Sequence, residues 1–199
     1  MVVRRRFRKA VERKFTWVRI PPPPPQMENQ LDIIKLPPSR WAELKELRLT
    51  SLQTDPDAWE NTYTSASLYS DELWKSRLQT SWDDQGCTNF FAEVNGKIVG
   101  TVGAIWSGGK LAHVATIVSV YVLPEYRRQG ISEALMSHIT NYLQDKKFIK
   151  LKLFVVSSQT NAYEFYKKLG FKEVGRLEKE LLSEGKYSDE IIMERFLDE

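Results

Sequence analysis

The sequence predicts a mixed α/β domain built mainly on one sheet, with about seven strands and about four helices. Three observations carry that reading. Short runs of β-branched and aromatic residues alternate with amphipathic helical segments across 31–196. Asn95-Gly96 separates two such runs as a hairpin. The run AHVATIVSVYVL at 112–123 is long and almost wholly apolar, as expected of a central strand covered on both faces.

Each element follows from its residues. LDIIKL at 31–36, stopped by Pro37-Pro38, suits a first strand. Ser39 reads as the N-cap of a helix carried by Trp41, Leu44, Leu47 and Leu49, running out near Asp55-Pro56. Ser70 opens a second helix with Leu73, Trp74 and Arg77 on it, and a turn at 86–89 leads into the hairpin. Gly108-Gly109 breaks the second hairpin strand, and Pro124 stops the apolar run. Ile131, Ala134, Leu135, His138, Ile139 and Tyr142 recur at helical spacing over 129–146. A strand at 148–156, a helix at 160–169, a strand at 171–177, a turn at Glu184-Gly185 and a strand at 187–196 complete the order.

Composition bounds the function. A chain of 199 residues, 42% hydrophobic and 28% charged, has a sizeable core and enough charge for solubility, which excludes collagen-like and disulfide-scaffold readings. One cysteine, Cys87, forms no intramolecular bridge, and with two histidines it makes a poor ligand set, so no metal is expected. His113 reads as lying in an apolar strand and His138 on the interior of a helical stripe, neither as a ligand. No run of about 18 apolar residues suggests a transmembrane helix.

The net charge of +3 is unevenly distributed: residues 1–26 hold eight basic residues against Glu12, and the remainder holds 21 basic against 25 acidic residues. Residues 1–26 are therefore expected to be a basic, disordered leader ending in Pro21 to Pro25, with 27–199 as the domain. Within the leader Phe7, Ala10, Val11 and Phe15 share a helical face. A transit peptide, an anionic-membrane patch and a nucleic-acid arm are its alternative readings. The cytoplasm is the expected compartment, or an organelle matrix if the leader is a transit peptide.

The chemistry lies in YVLPEYRRQGISEAL. A buried strand ends at Pro124, and Arg127, Arg128 and Gly130 then open an amphipathic helix. First-turn N–H groups of a helix lack intrahelical partners and carry partial positive charge, so such a terminus takes an anion. Gly130 lets a phosphate approach the backbone, the arginines add charge-assisted bonds, and Ser132 offers a hydroxyl. The Lys-Ser/Thr of a P-loop and the three glycines of a dinucleotide fingerprint are lacking, which disfavours nucleoside triphosphates and NAD.

Arg127-Arg128-Gln129-Gly130-Ile131-Ser132 resembles the [RQ]-x-x-G-x-[GA] motif of the GNAT superfamily of N-acetyltransferases, with Ser132 where Gly or Ala is usual. SSQTNAYEFYKKLGFKEVGR is similar to that family's N-x-x-A-x-x-x-Y-x-K-x-G-F segment, through Asn161, Tyr166 and Leu169-Gly170-Phe171. The resemblance implies a mostly antiparallel sheet in which the fourth and fifth strands splay around acetyl-CoA. It also implies that Val120, Tyr121 and Val122 offer backbone groups to the pantetheine and thioester, that 127–132 cradle the pyrophosphate, and that Asn161 contacts the pantetheine arm. Tyr166 would protonate the departing thiolate. Read from the residues alone, Tyr166 is equally a core aromatic, Asn161 a helix cap and Arg128 a solvated charge.

The general base stays open. The fourth strand offers only Thr116 and Ser119, and Glu93, Tyr187 and Asp189 are the further candidates. Acceptor choice in the family depends on the segment after the first helix, here 54–70, and the last hairpin loop, here 181–188. Asp55, Asp57, Glu60, Glu184 and Asp189 near these segments favour a cationic amine, small-molecule ahead of a protein N-terminus or lysine. The alternatives are a catalytically inactive acyl-CoA-binding module and a binding protein acting through its leader. A homodimer is an open possibility.

Overall fold

The computed structural model describes residues 30–183 and 185–197, so the readings made of the leader, of Glu184 and of the last two residues lie outside the described residues. Seven strands form one sheet: β1 (Leu31–Ile34), β2 (Cys87–Val94), β3 (Lys97–Trp106), β4 (Val114–Val122), β5 (Lys150–Val156), β6 (Lys172–Ser183) and β7 (Lys186–Phe196). Their order is β1-β2-β3-β4-β5-β7-β6. Every neighbouring pair is antiparallel except β4 and β5, which run parallel. The helices are α1 (Trp41–Thr54), α2 (Tyr63–Ser67), α3 (Asp71–Trp82), α4 (Ile131–Asp145) and α5 (Thr160–Lys168).

The hairpin forms where Asn95-Gly96 requires it, with φ of 51° and 81°, the positive pair a tight two-residue turn needs. Ser70 caps α3 by accepting from the Leu73 amide at 3.3 Å. Ser39 does not cap α1. A 3-10 helix, Pro38–Arg40, precedes it, the N-cap position is Arg40, and that side chain binds Glu43 and Glu93 instead. The five-residue α2 carries no apolar stripe to announce it; Thr62 caps it through the Ser65 amide.

α4 packs across β1 to β4, burying Ile131, Leu135, Met136, Ile139 and Leu143 on the sheet face that carries Phe90 and Val102. Two histidine readings need correction. His113 is exposed in the turn before β4 rather than within the strand, and His138 is an exposed residue on the margin of the α4 stripe, its ring edge-on to Phe90 at 4.5 Å. Among the described residues, no helix is long and apolar enough to cross a membrane, and no group of His, Cys, Asp or Glu could hold a metal ion.

One irregularity opens the sheet. Between β3 and β4 the register passes from Thr101↔Tyr121 to Gly103↔Val118, so Val102 alone faces Ser119 and Val120. This bulge puts Ser119 at φ 56° and bends β4. The parallel register of β4 with β5 covers only Val114↔Lys150 to Thr116↔Lys152, after which the strands part.

Candidate active site

The parting of β4 and β5 makes a cleft. A cavity of about 610 Å³ runs along β4 to the start of α4, bounded by Val120, Tyr121 and Val122 on one side and by Asn161, Phe165 and Tyr166 of α5 on the other. Arg127, Arg128, Ser132 and Glu133 close its outer end. A second chamber of about 120 Å³ adjoins it, sharing Ala58, Trp59, Val120, Gln159, Ala162 and Tyr166, and reaches Ser119 and Glu190.

The outer end is built from a turn and a helix start. Pro124–Tyr126 forms a 3-10 turn, Arg128 adopts φ 61°, and Gly130 caps α4 at φ 80° with no side-chain bond to the first-turn amides. A side chain at Gly130 would meet nothing within 4 Å, so the space before those amides is open. The two arginines differ. Arg127 donates through Nε to the Val122 carbonyl at 2.9 Å and through Nη2 to Asp55 Oδ2 at 2.6 Å. Among the described residues, Arg128 has neither a hydrogen bond nor an ion pair, so its exposed guanidinium is the uncommitted cation beside the cleft. Gln129 donates to the Glu125 carbonyl at 3.1 Å and Ile131 is buried in the core, so only the backbone of these two faces an anion.

Along the cleft, Tyr121 is fixed by a 2.9 Å bond with Thr54 and by Trp59, whose ring centre lies 6.2 Å away. Trp59 is itself held by its Nε1 bond to the Ser51 carbonyl at 3.0 Å and by the Arg48 guanidinium 4.0 Å from its ring. Tyr166 is 8% exposed, and burial raises its phenol well above the ordinary value, so it stays protonated at neutral pH. Its ring packs on Phe165 and Phe171, so it is a core aromatic that also lines both chambers. Asn161 sits inside the first turn of α5, whose N-cap is Gln159; the cap reading of Asn161 is not what the helix shows.

Of the sequence candidates for a base, several lie elsewhere. Glu93 on β2 binds Arg40 at 2.7 Å, with β3 between it and β4. Thr116 lines a separate hollow at the joined end of β4 and β5. Asp189 accepts from the Lys179 amide at 2.9 Å and pairs with Arg176 at 3.5 Å. Tyr187 is 61% exposed. Only Ser119 reaches the inner chamber. The carboxylate that does so is Glu190, which the sequence reading passed over; its signal was the alternation of β7, where Ile191 and Met193 point into the core and Glu190 to the other face.

A long cleft between parting parallel strands, closed by an open helix N-terminus with a free arginine, defines an α/β protein shaped for an elongated anionic ligand. Residues 45–171 match the Acetyltransferase (GNAT) family, and the chain belongs to that family. It is 38% identical over 103 residues to an uncharacterised N-acetyltransferase of Methanocaldococcus jannaschii, a match covering 50% of this chain and 45% of that protein. It is 30% identical over 100 residues to the [ribosomal protein bS18]-alanine N-acetyltransferase of Escherichia coli K12, covering 50% of this chain and 65% of that one. The chain thus spans between about half and two thirds of the length of these curated relatives. The fold superposes with TM-score 0.74 on a Salmonella typhimurium acetyltransferase solved with acetyl-CoA, at 16% identity, covering 85% of this chain and 95% of that one.

Proposed function

We propose that this chain is an acetyl-CoA-dependent N-acetyltransferase acting on a primary amine, a small-molecule amine ahead of a protein N-terminus or lysine. The observation that carries the reading is the continuity of the two chambers through the β4–β5 gap, with Tyr166 lining both. The larger one suits acetyl-CoA. Its outer end offers the open first-turn amides of α4, the Arg128 guanidinium and the Ser132 hydroxyl to a pyrophosphate. Its walls offer Val120, Tyr121 and Val122 backbone to the pantetheine and thioester and the Asn161 amide to the pantetheine arm.

Bound acetyl-CoA supplies the activated thioester. A backbone N–H of the β4 edge stabilises the charge that develops on the thioester oxygen, a contribution of about 3 kcal/mol at comparable sites. Tyr166 gives its phenolic proton to the departing sulfur. The inner chamber, about 120 Å³, takes an amine head and little more, and Glu190 on its wall, within the field of Glu60 and Glu180, favours a cationic one. The similarity to a ribosomal-protein-alanine acetyltransferase favours a second reading, in which that head is a protein N-terminus.

Calorimetry with acetyl-CoA followed by a free-thiol assay against small amines and peptides tests this. Binding with thiol release on small amines supports the first reading, and release only on peptides supports the second. Binding without turnover on any amine leaves an acyl-CoA-binding module. Removing residues 1–26 leaves turnover unchanged if the leader takes no part in the reaction.

A further inference from the structure

Resting on the acetyl-transfer reading, we propose that Glu190 is the base that takes the proton from the acceptor amine. It lines the inner chamber together with Ser119, Val120 and Tyr166, so it faces the β4–β5 gap through which the thioester and the amine must meet. It pairs with Val156 on β5 and Leu177 on β6, held in the middle of three hydrogen-bonded strands. The two pairings fix its backbone at the end of β5, next to the register shift of β6 between Leu177 and Leu181.

Glu190 as a residue is 9% exposed, and among the described residues its side chain has no hydrogen bond or ion pair, while its carboxylate oxygens stay open to the chamber. A carboxylate that opens onto a cleft with no cation beside it is placed to meet a cationic ligand. Its neighbour on β7, Asp189, is tied to Arg176 and the Lys179 amide, so the two adjacent acids are set apart by their partners. The titratable groups facing Glu190 are Glu60 from the 59–62 segment, Glu180 of β6 and the Tyr166 phenol; β4 and β5 present Val118, Ser119, Val120, Phe154 and Val156. Burial, and then the like charges of Glu60 and Glu180, raise the Glu190 carboxyl above the ordinary value, toward the range where a base works.

In the step, Glu190 accepts one proton from the ammonium form of the acceptor, leaving a neutral amine whose lone pair forms the C–N bond at the thioester carbon. As the C–S bond breaks, the sulfur takes the Tyr166 proton. The remaining surplus proton on nitrogen returns to the phenolate through water, and Glu190 releases its proton to solvent.

The test is the pH dependence of kcat/KM for Glu190→Gln and Glu190→Asp against an amine that the wild-type protein acetylates. The wild type is expected to show an acid limb from the carboxylate. Glu190→Gln is expected to lower turnover about 100-fold, to keep acetyl-CoA affinity within about twofold, and to recover with rising pH as the ammonium loses its proton to solvent by itself. Glu190→Asp is expected to keep the acid limb at reduced turnover. A Gln variant with wild-type turnover and profile overturns the assignment, as does a loss of turnover with an unchanged acid limb. Should Glu190→Gln fail to gain Tm with acetyl-CoA, Glu190→Asp decides alone: the limb kept supports the base, the limb lost overturns it. Failure of the underlying reading differs, because the wild type itself would then release no thiol on any amine.

Discussion

The Arg127 guanidinium grips the Asp55 carboxylate 72 residues earlier in the chain, with Nη2 to Oδ2 at 2.6 Å and Nη1 to Oδ1 at 3.3 Å. The pair links the C-terminal end of α1 to the loop before α4, and Thr54 next door bonds Tyr121 on β4. The first arginine of the anion motif therefore braces the cleft, while the second is free to meet the ligand.

That division predicts unequal effects. Arg128→Ala should weaken acetyl-CoA binding about tenfold, the loss of one charge-assisted contact, with Tm unchanged. Asp55→Asn should change stability by less than about 1 kcal/mol, because the pair is partly exposed. It releases Arg127 toward the phosphates, so acetyl-CoA should bind more tightly and with a steeper salt dependence. Calorimetry at two salt concentrations reads both.

Gly130→Ala separates strain from obstruction. The position needs φ 80°, which costs an L-residue about 1 kcal/mol, yet the added methyl meets nothing within 4 Å. Tm should fall by about 2–4 °C. Acetyl-CoA affinity should fall further, because the methyl occupies space that the phosphate needs.

The elements that local chemistry decides were legible in the sequence. Asn95-Gly96, Ser70 and Pro124 each act on their own neighbours, and the hairpin, α3 and the end of β4 follow from them. β6 extends to Ser183 rather than stopping near Leu177, because β7 pairs with 181–183; EKELLS has little strand propensity of its own, so the extension was not legible. Its Lys and Glu residues suit an exposed sheet edge. The site divides in the same way. The 127–132 loop and Tyr166 carry motif signals, whereas Arg127 with Asp55, and Glu190 with Tyr166, become neighbours only through the tertiary fold. Spacing says nothing of such pairs.

Asp84 offers a test of the fold apart from the cleft. Burial would raise its carboxyl, but hydrogen bonds from Lys35 at 2.7 Å, from Tyr142, and from Lys146 at 3.0 Å override it and hold the group at about 2. A carboxyl depressed in the folded state stabilises it above the unfolded value, and that stabilisation fades as pH falls from about 4 toward 2. The stabilisation is about 2 kcal/mol at neutral pH. Asp84→Asn should lower stability at pH 7 and flatten its decline over that acid window, read by urea unfolding at several pH values.

Tyr166→Phe bears most directly on the chemistry. The ring keeps its packing on Phe165 and Phe171, and among the described residues the hydroxyl has no hydrogen-bond partner to lose, so the fold should hold and acetyl-CoA affinity should stay within about twofold. If the phenol supplies the sulfur's proton, thiol release should fall by about 100-fold. Because burial raises the folded phenol above its unfolded value, the neutral form is retained and the associated stability is fully present below about pH 10. It is lost as pH rises further, when the unfolded chain ionises first. The Phe variant should therefore resist alkaline unfolding better than the wild type while turning over far more slowly. Equal turnover in the two proteins would remove Tyr166 from the reaction and leave it a core aromatic.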